Sequence, residues 1–87
     1  MEEDFDPNKD AINRRKHGLS LADWSQLDLD QALILPDDRK DYGEDRYRAF
    51  GLIDGRLHVL VFTVRHGQVR PISFRKGNRT EEKRYGR

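Results

Sequence analysis

The apolar positions of this chain change their spacing about a third of the way along it. Leu21, Trp24 and Leu27 recur every three residues, whereas beyond residue 46 apolar residues alternate with polar ones or run together. The first pattern predicts a buried helical stripe and the second predicts strands. Local signals sharpen both. Asp6 is a good N-cap and Pro7 fits the first helical position, so a helix is expected from there through Asn8 to Lys16. Arg14, Arg15 and Lys16 complement the C-terminal end of its dipole, and Gly18 supplies a left-handed stop. A second helix follows, capped by Ser20, with Asp23 three residues on and Leu19 placed to staple onto Trp24.

Ala32 to Leu35 is a short apolar run closed by the turn signal Pro36-Asp37-Asp38. Residues 38–45 are polar and read as a surface loop. Tyr47 to Ile53 reads as a strand, Asp54-Gly55 as a two-residue hairpin turn, and Leu57 to Val64 as the partner strand. Leu57, Val59 and Val61 line one face of that partner, and Leu60, Phe62 and Val64 line the other. It is therefore expected in the middle of a sheet covered on both sides. His66-Gly67 marks another tight turn before a third strand, Val69 to Phe74, in which Pro71 removes a ladder donor and points to an edge or a local break. A short helix capped by Asn78 or Thr80, with Glu81 and Glu82 in its first turn, ends the chain. The expected fold class is α+β.

Composition narrows the possibilities. The chain has 87 residues and a mean hydropathy of −1.00, which allows one domain by the usual size of about 100–200 residues. Leu, Ile, Val and Phe number 21 of 87, above the ~20% below which disorder is the default. The absence of cysteine removes a disulfide scaffold, a thiolate zinc finger and a cysteine nucleophile. No apolar run approaches the ~18 residues of a membrane helix, and the acidic start Met-Glu-Glu-Asp does not read as a signal peptide. The expectation is a cytoplasmic protein without membrane partners.

The net charge of +1 hides an asymmetry. Residues 1–45 hold 6 Lys/Arg against 13 Asp/Glu, a balance of −7; residues 46–87 hold 11 against 3, a balance of +8. A basic half of this kind suits a polyanion or an acidic partner, although a solvated basic face folded against an acidic one explains it equally well.

Several features at fixed spacing then align with one family. The segment Asp6-Pro7-x-Lys9-x-x-x-Asn13-x-x-Lys16-His17-Gly18-x-Ser20 resembles the opening of the BrnT family of bacterial type II toxins. Glu44-x-Arg46-Tyr47, Gly51 and Gly55-Arg56-Leu57 resemble its first hairpin. Thr63-x-Arg65-x-Gly67 and Arg70-x-Ile72-Ser73-x-Arg75-Lys76 resemble its later strands. The resemblance spans residues 5 to about 85. It departs from the family pattern at His66, Pro71, Phe74 and the stretch Gly77-Asn78-Arg79-Thr80.

The resemblance implies a RelE-like fold: a short N-terminal strand around Asp4-Phe5, two helices, an antiparallel sheet of about four strands and a C-terminal helical segment. It implies a metal-independent endoribonuclease that cleaves RNA and inhibits translation and growth. It also implies a BrnA-type ribbon-helix-helix antitoxin, through whose complex the toxin would meet operator DNA. No cofactor and no metal ligand set is expected. A non-catalytic module that keeps the fold to bind RNA or antitoxin is the alternative, and a small basic phosphate-binding protein is a third.

Ribonuclease chemistry without a metal needs a base for the 2′-hydroxyl, an acid for the 5′-oxygen and cations for the phosphate. Arginine suits the last role because its planar fork matches phosphate oxygens. Arg65, Arg70 and Arg75 are the expected phosphate clamps. Arg46, Arg48, Lys76 and Arg79 are the expected auxiliary RNA contacts. His66, beside Arg65, and Glu44, in the loop before Arg46, are the proton-transfer candidates, each weighed against an ordinary exposed side chain. His17 reads equally as helix-end complementation, and His58 as a partly buried structural residue. Tyr85 either stacks on a base or packs on the sheet, while Trp24 reads as core. Simple alternation puts Arg70 and Arg75 on opposite faces of their strand, so their convergence requires a break, for which Pro71 is the natural place.

Overall fold

The structure, a computed structural model, describes residues 5–86. Helix α1 (Pro7–His17) begins and ends where its capping residues predict. The Asp6 carboxylate accepts the Asn8 N–H, and Gly18 closes the helix at φ 74°. The second helical segment, Leu21–Gln26, is 3₁₀ rather than α. Only six residues separate the Ser20 cap from the buried Leu27, and i to i+3 bonds close both ends, from Asp23 N–H to Ser20 and from Leu27 N–H to Trp24.

Strands β1 (Leu33–Pro36), β2 (Tyr47–Ile53), β3 (Arg56–Arg65) and β4 (Gln68–Lys76) form an antiparallel meander in the order β1-β2-β3-β4, and α2 (Arg79–Tyr85) follows. The apolar run closed by Pro36 is thus an edge strand. The short strand expected at Asp4-Phe5 falls partly outside the described residues; Phe5 itself is a bend whose side chain packs on the core. Asn78 is the cap of α2, in a complete capping box with Glu81.

Sandwiched between β2 and β4, β3 is buried from Leu57 to Thr63 and carries different neighbours on its two faces. On one face Leu60 and Phe62 join Ala49 and Phe74 beneath Leu21 and Leu27, with Leu19 and Trp24 packed at the margin. Gly51 belongs to this face because a Cβ there would stand 2.6 Å from the Leu27 side chain. On the other face Phe50, Leu57 and Val59 meet Leu35 and Tyr85. Sequence alternation therefore predicted both cores, although Val64, at 49% exposed, lies beyond the cover.

Two side chains of α1 fix this arrangement. The buried Asn13 carboxamide donates to the Leu19 and Phe74 carbonyls at 2.8 Å each and accepts the Phe74 N–H at 3.0 Å. It supplies the ladder partner that the outer edge of β4 otherwise lacks. Burial disfavours the charged form of Asp10, but the Leu21 N–H, the Ser20 hydroxyl and Arg14 outweigh it and hold its carboxyl below the usual range.

Candidate phosphate-binding site

The β3–β4 register decides which side chains share a face. Thr63 pairs with Arg70 and Phe62 with Pro71, but Val61 pairs with Ser73 and Val59 with Arg75. Ile72 is therefore an extra residue, a bulge beside Pro71. Arg70 and Arg75 are five positions apart in sequence yet lie opposite Thr63 and Val59, four apart on β3. An even ladder separation puts both on one face. The alternation count that separated them is corrected by this single residue.

The same parity gathers the other arginines. Arg48 pairs with Val61, and Arg65 lies two residues beyond Thr63, so both share the face of Arg70 and Arg75. Arg46, just before β2, joins them by the same alternation. Thr63 is buried on this face, and its hydroxyl donates to the Asp45 carbonyl at 2.6 Å, tying the preceding loop to β3. That tie brings Glu44 between Arg65 at 3.2 Å and Arg46 at 3.3 Å. The hydrogen bond from Arg65 leads, with Arg46 second, in holding the Glu44 carboxyl below its ordinary range. An ionised Glu44 accepts protons but has none to deliver. Tyr42 adds a floor, with the Arg46 guanidinium 4.0 Å from its ring centroid.

Acids also hold the middle of the face. Arg75 donates both terminal nitrogens to Glu81, at 2.7 and 2.9 Å, and the Glu81 carboxyl is lowered to about 2, first by this pair. Glu81 simultaneously accepts the Asn78 N–H, so one carboxylate caps α2 and orients Arg75. Arg39 holds the buried Asp37 in a bidentate pair at 2.6 and 2.8 Å. Between these acids lies Arg48, whose charge helps lower both Asp37 and Glu81. Its Nε is buried and, among the described residues, has no hydrogen-bond partner. The acidic half of the sequence thus reaches the basic face beside the loop, where Glu44 and Asp37 meet its arginines.

The remaining candidates disperse. Lys76 pairs with His58 and so belongs to the opposite, helix-covered face. Arg79 is exposed at the start of α2. Tyr85 stacks on Phe50 with ring centroids 4.1 Å apart, the packing role rather than an open base platform. His66 is exposed at φ 53° in the turn joining β3 to β4, at the rim of the face. His58 is buried, with Nδ1 donating to the Arg56 carbonyl at 2.8 Å and its ring stacked on Phe74, a structural histidine as expected.

Sequence reading missed Glu81 as the partner of Arg75 because a capping-box acid already has an explanation. It also set His17 aside. Burial lowers the pKa of His17, and the positive charges of Lys16 and Arg75 lower it further, so its ring lies within the electrostatic reach of the arginine face. The arrangement can bind an extended polyanion through several forked cations whose orientations are set in advance by carboxylates.

A search of curated proteins finds no match to the chain. The family model described as the ribonuclease toxin BrnT of type II toxin-antitoxin systems matches residues 5–81. That match covers the α1 motif, the whole sheet and Glu81, and on its strength the chain belongs to the BrnT family of ribonuclease toxins.

Proposed function

We propose that this chain is a single-domain, metal-independent endoribonuclease with a RelE-like fold, acting on RNA at the arginine-lined face of its sheet. The observation that carries the reading is the Ile72 bulge, which puts Arg70 and Arg75 on the face of Arg48 and Arg65. In this reading Arg65, Arg70 and Arg75 clamp the scissile phosphate and stabilise the charge that develops on it. Arg46 and Arg48 hold neighbouring phosphates, with Lys76, Arg79 and Tyr85 outside the cleavage site. The ionised Glu44 takes the 2′-hydroxyl proton, and His66, at the rim beside Arg65, delivers one to the leaving 5′-oxygen. Cleavage of RNA in the cytoplasm then halts translation and growth. A BrnA-type ribbon-helix-helix antitoxin neutralises the toxin, and the complex binds operator DNA through the antitoxin.

A second reading is supported by the ion pairs themselves. Arg65 and Arg75 are already matched to Glu44 and Glu81, which suits a module that binds RNA or antitoxin without cleaving it. One experiment separates the two. Purified chain is incubated with RNA in EDTA, beside folded Arg70→Ala and Arg75→Ala variants, and the same genes are expressed in bacteria. Cleavage by the wild type, a loss of at least about tenfold in each variant and relief of growth arrest support the ribonuclease. Variants as active and as toxic as the wild type place the site elsewhere. Tight binding that leaves RNA intact favours the module.

A further inference from the structure

Between α1 and the bulged edge of β4 runs a groove of about 220 Å³ that lies outside the arginine face. Lys9, Ile12, Asn13 and Lys16 border it at helical spacings of three, four and seven, so they form one stripe of α1. His17 closes one end, and Ile72 and Ser73 form the opposite wall. Ile72 is the bulged residue and Ser73 the next one in the ladder, so the irregularity that aligns the arginines also shapes this groove. Its chemistry is one-sided. Among the described residues that line it, two are lysines, one is a histidine and none is acidic. Asp10, the nearest acid on α1, is turned away and occupied by the Leu21 N–H, the Ser20 hydroxyl and Arg14. Asn13 is likewise committed to backbone partners on both sides of its carboxamide, so it builds the floor. Ile12, at 53% exposed, adds an uncovered apolar surface to that basic rim.

Lysines in a groove without acidic neighbours suit a phosphodiester backbone. Arg75 links this groove to the arginine face, since its charge acts on His17 at the groove's end. We propose that the groove between α1 and β4 is a second RNA-backbone site, in which Lys9 and Lys16 hold a phosphate flanking the one bound by the arginine face. The proposal rests on the ribonuclease reading for its ligand, but its residues are separate. The strand of RNA passes over the β4 edge at the bulge, where Asn13 has closed the backbone ladder against pairing with another strand.

The test compares RNA lengths. The dinucleotide UpU reaches only one phosphate, whereas a uridine dodecamer spans both sites. Binding is measured with 2′-O-methyl forms, and cleavage with the unmodified ones, for the wild type and Lys9→Gln/Lys16→Gln. Both lysines are exposed on α1, and thermal melting confirms that the variant is folded. The expected result is unchanged cleavage of UpU, about tenfold weaker dodecamer binding at low salt, and a log–log salt slope smaller by about 0.7, for one lost single-strand phosphate contact. Unchanged dodecamer affinity and slope, with wild-type RNA binding intact, overturn the groove alone. A wild type that binds no RNA of either length overturns the ribonuclease reading together with it. Intact RNA binding with weakened binding of the cognate antitoxin assigns the groove to a protein partner and also overturns the proposal.

Discussion

The two faces of the sheet are built from alternate residues of the same strands, yet they solve different problems. On the helix-covered face Ala49, Leu60, Phe62 and Phe74 exclude water beneath Leu21 and Leu27, and Asn13 satisfies the edge backbone. On the other, Phe50, Leu57 and Val59 pack with Leu35 and Tyr85, Val61 is also buried, and arginines balanced by carboxylates occupy the outer positions. Burial of apolar area stabilises roughly in proportion to area, whereas exposed ion pairs contribute about 0–1 kcal/mol each. Stability should therefore reside on the first face and recognition on the second. Charges cost little on the second face because the first already holds the strands in register.

The sharpest way to break this division is a pair of truncations. Phe74→Ala removes a fully buried ring and should cost about 3–5 kcal/mol, read as a lowered urea midpoint. Arg65→Ala removes a half-exposed pair and should shift that midpoint by less than about 1 kcal/mol while reducing RNA cleavage sharply. Equal destabilisation by the two would mean that the faces are not separable. Next in size, Asn13→Leu keeps the branched shape but orphans the buried N–H and C=O of Phe74, for an expected loss of about 2–3 kcal/mol. A neutral result would show that water replaces the carboxamide at the β4 edge.

The acid on the arginine face sharpens the comparison through pH. Glu81 is lowered from 4.5 to about 2 on folding, so its contribution is complete above pH 4.5 and is lost as pH falls toward 2. Its side chain is 17% exposed, and a contribution of about 1–2 kcal/mol is expected. Urea midpoints followed across that window should fall for the wild type and flatten for Glu81→Gln. A parallel fall in both would assign the acid sensitivity to other carboxylates. The smallest expected effect is at His66, where asparagine also tolerates positive φ. His66→Asn should change stability by less than about 0.5 kcal/mol. Cleavage at the wild-type rate in this variant would remove His66 from proton transfer.

Much of the local architecture was legible because its causes are local. Asp6, Pro7 and Gly18 bound α1, positive-φ turns at Asp54-Gly55 and His66-Gly67 set the hairpins, and alternation along β3 marked a strand buried on both sides. The 3₁₀ geometry of Leu21–Gln26 was less legible, because it answers to Asp10 reaching across from α1 and to the position of Leu27 over Gly51. Lys76 and Tyr85 carried the right chemistry for RNA, but the register and Phe50 gave them other surroundings.

Charge and alternation by themselves determined that the second half of the chain is a basic sheet with two distinct faces. Which arginines meet was decided only by the tertiary structure. Strand parity is a count of residues, and the count changes when one residue leaves the ladder. Ile72 leaves it beside a proline that has no N–H to donate. The bulge depends on pairing across β3 and on Asn13 gripping Phe74 from a helix 61 residues away in sequence. Pro71 marked where β4 could break, but only the pairing across β3 shows that one residue leaves the ladder there and brings Arg70 and Arg75 to the same side.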